Sequence, residues 1–225
     1  MNQLKFINYS KYFNNNLKAY QTLSNNSLSS SDYIQNMAVG LSIDLKKLAI
    51  PNQIHSNTVT YISKGGSYSK TDGLITDNNE IILSLQTADC VPIFLFDKKN
   101  NVKGLIHSGW KGTKDKIINN AINLMLCKGS LESNILVVLG ASIHKCCYEV
   151  GEEILNYFDE QSTYRINNKF YLSLQEQILI DLSKLYISEK NIFIDKKCTF
   201  MDNKLNSYRR DGKSAGRMIS LLGHY

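Results

Sequence analysis

Cys90 and His107 each follow a short apolar run, IILSL and VKGLI, and His55 stands just before the alternating stretch TVTYIS. A thiolate with two neutral imidazoles is a donor set for zinc and related ions, and a catalytic site of this kind keeps a further position for water. The spacings are 35 residues from His55 to Cys90 and 17 from Cys90 to His107, too long for a local finger, so only the fold can bring the three together. A plainer alternative makes Cys90 a small buried apolar side chain and each histidine a hydrogen-bonded polar residue, as His144 and His224 are read. A third option makes Cys90 a nucleophile with His107 as its general base, in an amide-cleaving reaction. A fourth is a closed, non-catalytic metal site with Cys198 as the last ligand.

Two other clusters carry chemical options. SYRRDGK, Ser207 to Lys213, sets three cations at a turn where Arg209 and Arg210 could clamp a phosphate or carboxylate. It also reads as a solvated basic loop neutralised by Asp211. Cys146-Cys147 opens a helical stretch, where a thiol pKa can fall, although packing accounts for at least one of the pair. Phosphate-binding Gly-rich loops, HExxH and GxSxG are all missing, which counts against those enzyme classes.

The elements that must position these residues follow from periodicity. IILSL, VPIFLF, VKGLI and ILVVLG are nearly unbroken apolar runs, as expected of strands covered on both faces, and TVTYIS, DGLI and NIFID are shorter strands. KDKIINNAINLMLCKG is a helix with Thr113 as N-cap and Gly129 as stop. LSLQEQILIDLSKLYI is a second, opening on a Ser173–Glu176 capping box. NMAVGLSIDLKKLAI holds a possible helix ending near Pro51. ASIHKCCYEVGEEILNYF is a loop leading into a helix. Within residues 1–36, SNNSLSSSDY reads as a polar loop, mobile or lid-like. Strands and helices are mixed without strict alternation, which predicts a single α/β (α+β) domain over residues 1–225.

Composition narrows the classes further. The chain has 225 residues and a net charge of +6 from 26 basic and 20 acidic residues without single-sign runs, which gives no case for nucleic acid. The N-terminus lacks the pattern of a signal peptide and no apolar run reaches membrane-spanning length, so a cytoplasmic, non-membrane protein is expected. Five cysteines, an odd number without Cys-x-x-Cys spacing, predict reduced thiols.

QIHS, TADCVPIFLFD, IHSGWKGT, LGASIHKCCYEVGEE, Cys198-Thr199 and YRRDGKSAGRM occur in this order, and together they resemble the bacterial YfiH/YlmD proteins, also called the laccase-domain or multicopper polyphenol oxidase family. The likeness runs from about residue 50 to the C-terminus. The family pattern is similar to NQVHG, TADCxPV, HAGWRG, LGPxIGxxxYEVG, CT and SYRRDG. This chain departs from it at Ser56, Ser108, Lys111, Ala141 and His144, and Lys111 loses the planar fork of an arginine.

The resemblance implies an α-β-β-α sandwich with mixed sheets and a zinc ion, with copper as the other option, held by His55, Cys90 and His107. It implies phosphorolysis of adenosine, inosine, guanosine and methylthioadenosine with deamination of adenosine, or, in one bacterial branch, editing of a muramyl-serine peptidoglycan precursor. Cys90, His107 and Asp89 are then the catalytic candidates, and Gln53, Lys111, Arg209 and Arg210 the residues for nucleoside and phosphate, in a monomer or homodimer. Four histidines cannot furnish the several imidazole-rich copper sites of a laccase, so oxidase chemistry would be incidental.

Overall fold

The computed structural model describes residues 5–13, 17–24, 34 and 37–225. Two six-stranded sheets lie face to face. The first runs, edge to edge, through β1 (Phe6–Asn8), β2 (Lys18–Thr22), β15 (Met218–Gly223), β7 (Ile82–Thr87), β3 (Leu48–Pro51) and β5 (Gly66–Tyr68). The second runs through β14 (Ile192–Ile194), β10 (Ile135–Leu139), β8 (Val91–Asp97), β9 (Val102–Ser108), β6 (Gly73–Thr76) and β4 (Val59–Tyr61). Both mix parallel and antiparallel pairs. A small third sheet joins β11 (Glu149–Val150), β13 (Lys169–Leu172) and β12 (Thr163–Ile166).

The unbroken apolar runs are explained by two faces that are both buried. Along β8, Phe94 and Phe96 enter the core between the sheets while Ile93 and Leu95 face the helices Ile117–Cys127 and Leu174–Lys184. Along β7, Leu83 and Leu85 face inward, whereas Ile82 packs outward with Met37, Ala38 and Ile219. Side chains alternate across a strand, so a strand between two apolar layers must be apolar at nearly every position. The layers are therefore α-β-β-α, as expected.

Several local expectations are corrected. The helix begins at Ile117, not after Thr113, because Lys116 takes a left-handed conformation with φ +61°. Thr113 lies inside a separate short helix, Trp110–Lys114, with its hydroxyl donating to Gly109 O at 2.9 Å. Gly129, at φ +88°, does follow the helix end. Half of the Ser173–Glu176 box forms: Ser173 accepts from the Glu176 amide, but the Glu176 carboxylate instead meets Lys145 and Tyr164. No helix reaches Pro51, since Asp44 caps a single 3-10 turn, Leu45–Lys47, and β3 follows. The helix after Gly151 is one turn, Glu152–Leu155. Strands β1, β2, β3, β5, β11, β12, β13 and β15 go beyond those expected from the sequence. Most of SNNSLSSSDY lies outside the described residues. Among the described residues, no helix is long and apolar enough to cross a membrane.

Candidate active site

The antiparallel register of β8 and β9 pairs Val91 with Ser108 and Pro92 with His107, which leaves Cys90 and His107 at the same end of adjacent strands. His55 arrives from the loop between β3 and β4, in a left-handed conformation with φ +60°. The ligand-type atoms of His55, Cys90 and His107 all lie within 4.8 Å of one another. The two imidazoles meet edge to face, centroids 4.8 Å apart at 82°.

What holds them is Asp72, fully buried one residue before β6. Its Oδ1 accepts from His107 Nδ1 at 2.8 Å and from the His55 amide at 3.0 Å. Its Oδ2 accepts from the Ser56 amide and hydroxyl, both at 2.7 Å, and from the Ile54 amide at 3.2 Å. Burial opposes ionisation, but the bonds from His107 and Ser56 outweigh it and keep the carboxyl well below its usual range. An ionised Asp72 can only accept, so His107 carries its proton on Nδ1 and turns Nε2 toward Cys90. Carboxylates that orient a metal-binding histidine act in this way.

Burial alone would raise the Cys90 thiol, yet His107 and His55 bring it down to about 6. Conversely, burial would lower His107, but the Cys90 sulfur and Asp72 raise it to about 9. Without a metal the pair is thiolate and imidazolium. With one, two imidazoles and a thiolate present three donors to a common point, a set suited to zinc or copper. The fourth-ligand expectation fails, because the Cys198 sulfur belongs to a different cluster with Cys146 and Cys147.

Gly109 gives the site its room. A Cβ there would lie 2.9 Å from Cys90 Sγ and 3.3 Å from a His55 ring carbon. Gly109→Ala should therefore push the ligand set apart, with metal content and turnover falling together while the thermal midpoint moves little; unchanged metal content would refute the close approach.

The other expected residues are placed unequally. Asp89, at φ +89°, accepts from Thr199 Oγ1 through Oδ1 and from the Arg209 amide through Oδ2, both at 2.6 Å. It ties two later segments to the residue before Cys90. Gln53 lines the cleft, but its amide bonds the main chain of Gln86 at 2.8 and 2.9 Å. Arg209 also lines the cleft, with its guanidinium over the Tyr148 ring at 5.1 Å. Arg210 does not: its five N–H groups go to the carbonyls of Thr199, Phe200 and Leu205 and to the Asp211 carboxylate. Lys111 is exposed, beside Trp110 and outside the cleft lining. Arg210 thus has no donor left over, and Lys111 lies outside the cleft lining. Sequence reasoning missed Asp72, read there only as the start of the short strand DGLI, and Arg217, which lines the cleft just before β15.

The cleft has a volume of about 670 Å³, with the three ligand residues, the aromatic rings of Trp110 and Tyr148, and the cations Arg209 and Arg217 on its walls. Such a volume suits a small organic ligand.

Residues 11–224 match the family described as multi-copper polyphenol oxidoreductase laccase. A purine nucleoside phosphorylase of Clostridium acetobutylicum is 36% identical over 188 residues, 80% of this chain and 78% of that protein. An adenosine deaminase RL5 from an unknown prokaryotic organism is 27% identical over 204 residues, 82% of this chain and 78% of that protein. In fold, the crystal structure of the hypothetical protein YfiH of Bacillus licheniformis superposes with a TM-score of 0.89 at 22% identity, covering 100% of both chains. A match over nearly the full sequence, joined to relatives above 30% identity, means that the chain belongs to the multi-copper polyphenol oxidoreductase laccase family.

Proposed function

We propose that the chain, acting as one domain, is a metal-dependent purine nucleoside phosphorylase that also deaminates adenosine. The observation that carries this reading is the convergence of His55, Cys90 and His107 in a cleft lined by the rings of Trp110 and Tyr148 and by Arg209 and Arg217. The names of the relatives point the same way. His55, Cys90 and His107 would hold zinc, or copper, which when bound supplies Lewis acidity and a water of lowered pKa. The protein's own groups account for the rest. Trp110 and Tyr148 offer faces for a purine. Arg209 and Arg217 offer positive charge to orthophosphate, whose oxygen bonds to ribose C1′ as the C1′–N9 bond breaks, the proton lost by the phosphate passing to the departing purine. Asp72 fixes the His107 tautomer, and Asp89 and Gln53 are positioning residues.

The test is to incubate adenosine with and without phosphate and to follow adenine and inosine separately. Adenine that depends on phosphate supports phosphorolysis; inosine alone leaves only deamination; neither product, with turnover of a muramyl-serine precursor, moves the chain to peptidoglycan editing. Arg209→Ala should raise the phosphate KM about tenfold to a hundredfold, from the loss of a charge-assisted contact of roughly 1.5–3 kcal/mol. Arg210→Ala should instead lower the thermal midpoint and leave that KM nearly unchanged. Equal KM effects would mean that the two arginines have been wrongly separated.

One observation favours a second reading. Asp72, His107 and Cys90 form an acid–imidazole–thiol relay, as a cysteine nucleophile requires. In metal-free protein, Cys90 should be alkylated as thiolate, its rate half-maximal near the value of about 6 and falling as the pH drops through it. Peptide mapping identifies the modified cysteine, and a midpoint in the ordinary thiol range would contradict the ion pair. Full turnover without metal would favour this reading over the first.

A further inference from the structure

A second group of sulfurs lies behind the cleft. Cys146 and Cys147 are adjacent on the tight turn after β10, where the amides of Cys147 and Tyr148 both donate to His144 O, at 2.9 and 3.0 Å. Cys198 comes from the segment after β14 and is fixed beside that turn by a parallel bridge to Ser142 and by the Thr199 amide donating to Ser142 O at 3.0 Å. The sulfurs of Cys146 and Cys147 are 3.0 Å apart, those of Cys146 and Cys198 3.9 Å apart, and all three lie within 4.8 Å of one another.

Sulfurs bound to one ion at about 2.3 Å stand roughly 3.7–4.0 Å apart, which is the separation of Cys146 and Cys198. Cys146 is exposed, so rotation of its side chain can widen the shorter gap, and Cys198 is buried, which gives the site a fixed wall. The His144 amide donates to Cys198 Sγ at 3.4 Å, which ties that sulfur to the turn. Among the described residues, no His, Asp, Glu or fourth Cys joins the group. Thiolates suit both Zn(II) and Cu(I), but a structural zinc site closes with four protein ligands, whereas Cu(I) is satisfied by three thiolates.

We propose that Cys146, Cys147 and Cys198 form a thiolate site for Cu(I), separate from the ligand set of the cleft. Binding releases the thiol protons to solvent and changes no oxidation state. The site is linked to the residue before Cys90: the Thr199 hydroxyl donates to Asp89 Oδ1 at 2.6 Å, and the Ile143 amide donates to Asp89 O at 2.9 Å.

Cys90→Ser removes the thiolate of the cleft, so copper retained by that protein reports the second site. Titrated with Cu(I) in competition with bicinchoninate, Cys90→Ser should keep one equivalent and show ultraviolet sulfur-to-copper charge transfer. The triple variant Cys90→Ser/Cys146→Ser/Cys147→Ser should keep none, with unchanged circular dichroism. Cys198→Ser in the Cys90→Ser background is a second check, read only if its thermal midpoint is unaltered. Equal copper in Cys90→Ser and the triple variant would overturn the proposal. So would preferential retention of Zn(II), or thiols at Cys146 and Cys147 that resist alkylation until a disulfide reductant is added.

Discussion

Asp72→Asn is expected to leave the protein folded and to cut its metal affinity by about tenfold to a hundredfold, the usual effect of losing the partner of a ligating histidine. All five groups that reach the Asp72 carboxylate other than through its main chain are donors: His107 Nδ1, three amides and the Ser56 hydroxyl. Asparagine must turn an NH2 toward some of them. With its oxygen kept for the three contacts at Oδ2, the NH2 faces the His55 amide and His107 Nδ1. His107 can then meet it only by accepting, which moves its own proton to Nε2 and blocks the atom that would bind the ion. The His55 amide is left without its acceptor, at a further cost of about 1–3 kcal/mol. A chromophoric chelator competition measures the affinity, and thermal unfolding measures the remainder. Wild-type affinity in Asp72→Asn would show that the tautomer is set by something else.

Cys90→Ala should have the largest effect on turnover, a loss of about 10³-fold or more, equivalent to at least about 4 kcal/mol of transition-state stabilisation. Metal content decides what the loss means. As a ligand, Cys90 takes stoichiometric metal with it when removed, because affinity depends on the number of donors. As a nucleophile, Cys90 leaves the metal content of the alanine variant unimportant to rate, and metal-free wild type stays active. His107→Ala separates the readings less well, since it removes both a ligand and a base. Near-normal turnover in Cys90→Ala would end both.

The meeting of Cys90 and His107 was legible because the sequence interrupts its apolar runs abruptly at both, and strand ends are where rigid scaffolds present polar groups. The two sheets were legible for a related reason: β8 is buried on both faces and so is apolar up to Asp97, and its partner β9 is buried along its whole length. Where a strand carries polar residues inward, the same reasoning fails. β2 holds fully buried Gln21 and nearly buried Thr22, and Gln21 is accommodated by bonding the main chain of Ala141. β15, MISLLG, was overlooked in a tail that the arginine motif dominated. Asp72 was hidden because its partners, Ile54, His55, Ser56 and His107, come from segments distant in the chain, and Arg217 because it bonds the carbonyls of Ala215 and Gly216 and only the fold brings it to the cleft. Arg210 failed in the opposite sense: its neighbours in sequence suggested an anion clamp, whereas the chain uses it to bind its own carbonyls.

The placement of β15 between β2 and β7 has a consequence for the order in which the molecule can be made. Every strand of the second sheet comes from residues 59–194, whereas the first sheet draws on residues 6–22, 48–87 and 218–223. During synthesis His55, Cys90 and His107 are all available, with their β8–β9 frame, long before residues 218–223 have emerged. Until then β2 and β7 each lack a neighbour and present open hydrogen-bonding edges, the kind of surface that invites pairing with another chain. Metal capture can thus come early on the growing chain, while the wall that carries Arg209 and Arg217 is added last.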